Sequence, residues 1–197
     1  MLRFCAIILL SILISSCSPE TYSPKQRGYY QLELPTTHAY KTFEYPGFPY
    51  SFEYPAYGTI IRDSSFFGEK PENPYWLYID FPDYNARIYL SYKEMSAKYT
   101  LGKLLEDSHQ LTYFHDKKAD YIQDDKYYFP DTHVSAIFYT VGGNAASTYQ
   151  FMATDSVKHF IRAGLYFNVS PNADSLKPVN DFFKVDMLHI IKTMQWK

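Results

Sequence analysis

The stretch FYTVGGNAASTYQF, residues 138–151, decides how this chain is read. Two glycines and an asparagine stand between two runs of apolar and aromatic residues. The glycines either cradle a phosphate or reverse the chain. A Walker-type loop needs G-x-x-x-x-G-K-[ST], with the lysine reaching the phosphates. Here no lysine follows the glycines until Lys158. A dinucleotide loop needs G-x-G-x-x-G between a strand and a helix. Here the glycines are adjacent, and ASTYQFMAT behind them alternates as a strand does. The geometry that aims a helix N-terminus at a phosphate is therefore missing. Gly142, Gly143 and Asn144 instead supply residues that tolerate positive φ, which a hairpin needs. The reading is a hairpin between two core strands. Ala145, Ala146 and Ser147 behind it are small enough for another backbone or a ligand to come close. Gly143, Asn144, Ala145, Ala146 and Ser147 are therefore the candidate partner contact.

Outward from this hairpin the same two-residue period recurs. Strands are expected within 49–54 and 57–62, and over 76–81, 86–92, 121–129, 133–141, 145–154 and 159–169. Ala86, Ile88, Leu90 and Tyr92 share one face of their strand, and Ile161, Ala163, Leu165, Phe167 and Val169 share one face of theirs. Pro82, Asp83, Tyr84 and Asn85 read as a turn. Two segments change period. Leu101, Leu104, Leu105, Ser108 and Leu111 fall at helical spacing, which predicts a helix over 100–115 with Thr100 as N-cap. Val179, Phe183, Met187, Ile190 and Met194, widened by Phe182 and Ile191, predict a second helix over 175–195. Asp174 is its expected cap, and Pro178 lies in its first turn. The order strands, helix, strands, helix predicts an α+β domain, an antiparallel sheet flanked by helices. That layout is similar to the Mog1/PsbP-like sandwich, a likeness that concerns fold and not function.

The chain opens MLRFCAIILLSILISSC. Arg3 precedes an apolar run over 4–14, too short for a permanent span of roughly 20 residues but laid out as a secretory signal. Ile14, Ser15, Ser16 and Cys17 resemble the bacterial lipobox. By that resemblance residues 1–16 are removed. Cys17 then carries diacylglycerol on its thiol and an acyl chain, expected to be palmitate, on its amine. Two chains anchor a protein stably at a membrane. Residues 17–28, polar and twice interrupted by proline, read as a tether. Residues 29–50, with prolines at 35, 46 and 49, read as an extended arm. Residues 51–197 read as a single globular domain.

Composition narrows the chemistry. The formal charge of −2 becomes −3 once Arg3 leaves, so no basic face invites nucleic acid. Cys5 leaves with the signal and Cys17 takes the lipid, so no thiol remains for a disulfide, a zinc site or a nucleophile. The 21 tyrosines and 15 phenylalanines suit strands and wet contact surfaces. The histidines at 38, 109, 115, 133, 159 and 189 show no H-E-x-x-H or H-x-H spacing, so no metal is expected. Asp124 with Asp125, and Asp80 with Asp83, could pair as acid and base, but strand ends and turns collect aspartates anyway. No G-x-S-x-G elbow occurs, and no catalytic residue or cofactor is expected.

Four segments in order resemble one family: the signal ending in Cys17, KQRGYYQLELP (25–35), YTVGGNAAS (139–147) and DMLHIIKTMQWK (186–197). Together they resemble the gliding-motility lipoprotein GldD family of gliding bacteria, over essentially the full chain. The resemblance implies a membrane-anchored envelope lipoprotein needed for gliding motility and for type IX secretion; Ser18, Pro19 and Glu20 after Cys17 lack the acidic run linked to surface display in these bacteria, so the domain is expected to face the periplasm. It implies partners among other gliding and secretion proteins of the envelope. It carries over no catalytic residue, only Cys17 as the lipid site. The reading is a non-catalytic assembly or interaction factor. The alternative is a periplasmic domain that binds or hydrolyses peptidoglycan or glycan.

Overall fold

The computed structural model describes residues 33–62, 70–114 and 119–197, all in one unit spanning Leu32–Lys197. The signal segment, Cys17, the tether and the first part of the arm lie outside the described residues. The described chain runs β1 (Tyr40–Phe43), β2 (Tyr50–Pro55), β3 (Thr59–Ile61), β4 (Leu77–Phe81), β5 (Ala86–Glu94), α1 (Leu101–Tyr113), β6 (Ala119–Phe129), β7 (Val134–Gly143), β8 (Tyr149–Thr154), β9 (His159–Phe167), α2 (Ala173–Thr193) and β10 (Gln195–Trp196). Seven strands form one antiparallel sheet in the order β3-β4-β5-β9-β8-β7-β6, and β1, β2 and β10 form a small second sheet.

Alternation along the strands sorts side chains into two cores. Ile88, Leu90, Phe138, Phe151, Ile161 and Leu165 face one side and pack with Val179, Phe183, Met187 and Ile190 of α2 and with Phe43, Tyr50 and Phe52 of the small sheet. Met152 and Phe160, one residue out of phase, face the other side and pack with Leu104 of α1. The result is three layers: α1, the large sheet, then α2 with the small sheet. This is the antiparallel sheet flanked by helices expected from the sequence.

Two turns share one local design. Phe81-Pro82-Asp83-Tyr84-Asn85 and Phe129-Pro130-Asp131-Thr132-His133 each form a 3-10 turn closed by a left-handed residue, Asn85 at φ 46° and His133 at φ 50°. In each, the proline presets φ and the last N–H returns to the proline carbonyl, at 3.1 and 3.3 Å. Both turns therefore feed one strand back along its neighbour, β4 into β5 and β6 into β7.

The helices depart from expectation in instructive ways. Thr100 caps α1, its side chain accepting from Lys103 N. The buried stripe, however, is Leu104, Ser108 and Thr112, while Leu111 is 54% exposed. The sheet surface under the first part of the helix is apolar, with Met152 and Phe160 against Leu104, but Gln150 lies opposite Thr112 and bonds its hydroxyl, so hydroxyls rather than Leu111 take the inner positions there. Asn172, not Asp174, caps α2 by accepting from Ser175 N at 3.3 Å. Starting two residues early places Pro178 inside the helix, not in its first turn. The helix also stops at Thr193. Gln195 and Trp196 become β10 and pair with Ser51 and Tyr50 of β2, where the half-buried indole stacks on His159 at 5.3 Å. The second part of the arm is built into the small sheet. Phe43 pairs with Phe52, and Phe43, Phe48 and Tyr50 are buried in the main core.

Candidate functional site

β7 and β8 pair from Ser135↔Thr154 to Thr140↔Tyr149, so the chain does reverse between them. Gly143 sits at φ +84°, and a Cβ on Gly142 would strike the ring of Tyr121 on β6. These glycines serve backbone geometry. The strand expected from Ala145 begins only at Tyr149. Thr148 O still accepts from Val141 N at 2.8 Å, while the side chains of Asn144 and Ser147 are engaged outside the β7–β8 ladder. Asn144 Oδ1 accepts from Ala173 N at 2.9 Å, at the start of α2. Ser147 Oγ donates to Tyr149 O at 3.3 Å.

The small-residue segment is only partly surface. Asn144 and Ala146 are exposed and Gly143 is half-buried, whereas Ala145 is 7% and Ser147 1% exposed. What approaches Ser147 is the chain itself: a Cβ on Gly164 of β9 would lie 3.5 Å from its Oγ. Of the five candidate contact residues, Asn144 and Ala146 remain open to a partner.

The expected carboxylate pairs do not converge on a site. Asp80 Oδ1 accepts from Arg87 Nε at 2.6 Å, and Asp83 sits in the 3-10 turn after β4. Asp124 and Asp125 are consecutive on β6 and so point to opposite faces. His109 stacks on Tyr113, and His115 lies outside the described residues. Among the described residues no three His, Cys, Asp or Glu side chains gather as a metal site, and no helix is long and apolar enough to cross a membrane.

One cluster of titratable groups escaped the sequence reading. Asp186 lies on the inner stripe of α2 with 0% exposure. It meets His38 Nδ1 at 2.7 Å, accepts from the Tyr40 hydroxyl at 3.1 Å, and accepts from the Tyr57 hydroxyl. Burial raises the Asp186 carboxyl above its ordinary range, while its three partners pull the other way. Burial first, and then the neighbouring Asp186, drive the Tyr40 and Tyr57 phenols far above their ordinary value, so both stay protonated donors. His38 stacks on Phe182 at 4.3 Å. Tyr40 stacks on His189 at 3.6 Å, whose Nε2 meets Glu53 at 2.7 Å.

A histidine beside a buried aspartate is two thirds of a hydrolytic triad. The partners of His38 among the described residues are Asp186 and the rings of Tyr40 and Phe182; none is a serine, threonine or cysteine. The arrangement fastens the segment before β1, β1 itself and the β2–β3 turn to α2. A sequence signal for it existed: an aspartate at position 186, beside Met187 and one turn from Phe183 and Ile190 on a mainly apolar stripe.

The sequence matches the model of the family described as gliding motility lipoprotein GldD over residues 19–196. The chain belongs to this family. Membership of the GldD family supports a role in gliding motility and a membrane-anchored place in the cell envelope. The match begins beyond Cys17. No curated protein matches the sequence. Among solved structures, the GldD-family fold is similar to the solution structure of cyanobacterial PsbP (CyanoP) from Synechocystis sp. PCC 6803. The identity is 11%, over 82% of this chain and 94% of that one, with a TM-score of 0.49.

Proposed function

We propose that this GldD-family protein acts as a non-catalytic assembly or interaction factor, required for gliding motility, for type IX secretion, or for both. A lipid on Cys17 holds it to a membrane with its domain facing the periplasm. The observation that carries this reading is the Asp186 cluster. The most chemically suggestive groups in the described fold are engaged with one another, in hydrogen bonds that tie four segments together, with no nucleophile among them. The exposed side of the 143–147 turn, at Asn144 and Ala146, is where a partner docks.

A photo-crosslinking residue placed at Ala146 in living cells tests this. The expected result is capture of one or a few discrete envelope proteins, alongside loss of gliding or secretion when the gene is deleted. Hydrolysis of peptidoglycan or glycan by the purified protein, abolished by Asp186→Asn in a variant that keeps its fold, would replace this reading with a hydrolytic one.

A further inference from the structure

The face of the large sheet beneath α1 holds buried polar groups that the fold itself leaves unsatisfied. Gln150 Oε1 accepts from Thr112 Oγ1 at 3.2 Å and from Arg162 Nη2 at 2.5 Å. That leaves Gln150 Nε2, Arg162 Nε and Ser108 Oγ sealed from solvent without a hydrogen-bond partner among the described residues. Orphaned buried donors of this kind are uncommon in native proteins.

Arg162 is the most telling of the three. Its guanidinium is largely withdrawn from water, and its side-chain partners are Gln150 and Tyr166, both neutral. Burial pushes it below its ordinary value, and Tyr166 opposes that, yet an arginine stays charged in a protein. No carboxylate among the described residues pairs with it, and a desolvated cation without an anion is costly to keep. Two carboxylates stand on the same wall, Glu72 and Asp107. Glu72 meets Lys93 at 3.4 Å, and neither pairs with Arg162.

Beside this guanidinium lies a cleft of about 850 Å³ between α1 and the sheet, a size suited to a small molecule. Arg162 and Ser108 stand on its wall together with Leu104, Leu111, Phe114 and Phe160. Leu111 and Phe114 are unusually open for residues of their type, at 54% and 77% exposed.

We propose that this cleft binds a small organic carboxylate, its charged end on the Arg162 guanidinium and its apolar body along Leu104, Leu111, Phe114 and Phe160. A monoanion matches the charge of the cleft, where Lys70, Lys93 and Arg162 stand against Glu72 and Asp107 and leave one net positive charge, and the planar guanidinium can hold both carboxylate oxygens. A phosphate dianion fits less well, because it exceeds that one net charge. The same chemistry occurs at the end of a fatty acid and at the C-terminus of an apolar peptide. The proposal stands apart from the docking role assigned to the 143–147 turn.

Calorimetric titration of the full chain with octanoate and with the tripeptide N-acetyl-Ala-Leu-Phe distinguishes the two sources. Saturable one-to-one binding of either supports the proposal, and the tighter ligand names the source. Octylamine, equally apolar but cationic, should not bind. Arg162→Met should weaken the carboxylate about tenfold or more, the loss of one charge-assisted pair. Leu111→Asp, at an exposed position that leaves the core intact, should weaken it comparably by placing a negative charge at the mouth. It serves as the deciding variant if Arg162→Met does not fold. Absence of binding by both carboxylates, equal binding of octylamine, or unchanged affinity in the folded variants would overturn the proposal.

Discussion

His38 Nδ1 and the Asp186 carboxylate lie 2.7 Å apart although 148 positions separate them in the chain. Asp186 is fully buried, and removing it strips the Tyr40 and Tyr57 hydroxyls of their acceptor as well. Asp186→Ala should therefore lower unfolding stability by about 2–4 kcal/mol, read as a shift of the urea midpoint. Asp186→Asn keeps the size but turns an N–H₂ toward donors, and should fall between wild type and alanine. A midpoint unchanged in both would show that the cluster is not a fastening.

Acid should loosen the fold through His159. Burial holds its imidazole below the ordinary value, with Asp155 opposing, Lys158 adding to the depression and Glu94 opposing again. Its Nδ1 bonds the Tyr92 hydroxyl at 2.8 Å. Because the folded value lies under the unfolded value of about 6.5, the unfolded chain takes the proton first as pH falls. The contribution is full above about pH 6.5 and is lost on acidification below it. The thermal midpoint should drop between about pH 7.5 and 5.5, and His159→Gln should flatten that slope. An equal slope in wild type and variant would assign the effect to other groups.

Two neighbours in the 143–147 turn should behave differently. Asn144 is fastened to Ala173 N at the start of α2, so Asn144→Ala should cost about 1 kcal/mol, as the loss of a helix cap does. Ala146 is exposed, so Ala146→Glu should change stability by no more than about 0.5 kcal/mol. If the turn docks a partner, Ala146→Glu nonetheless reduces crosslinking and gliding. A stable Ala146→Glu variant with full gliding and full secretion would remove this turn from the docking surface.

Lipidation has its own test. Cys17→Ala should abolish incorporation of a labelled fatty acid and move the protein from the membrane fraction to the soluble fraction. Undiminished labelling in that variant would sink the assignment of Cys17.

The layers of this fold were legible because alternation is a local property. Ile88, Leu90, Ile161 and Leu165 mark their own strands, and Val179, Phe183, Met187 and Ile190 mark their own helix. Boundaries were less legible wherever a distant group decided them. The helix signal in 175–195 gives no hint that Gln195 pairs with Ser51 of β2. Nor does Asn144, read as a turn former, reveal that its side chain is held by α2. The Asp186 cluster and the Arg162–Gln150 pairing were hidden for the same reason. Each is a meeting of residues from separate elements, and sequence spacing records only neighbours along one element. Leu111 shows the converse: its helical spacing suggested burial, but Ser108 and Thr112 hold the inner face because Gln150 and Arg162 lie opposite.

β6 ends the large sheet, and over eleven residues its outer backbone edge has no neighbouring strand among those described. Copies of a protein confined to one membrane meet sideways and often, and a bare edge of that length invites stacking from copy to copy. Along this edge run Asp120, Asp124, Asp125 and Lys126. Asp124 and Asp125, first weighed as a catalytic pair, put charge along a sheet edge, a pattern that discourages one copy from adding its strand to the next.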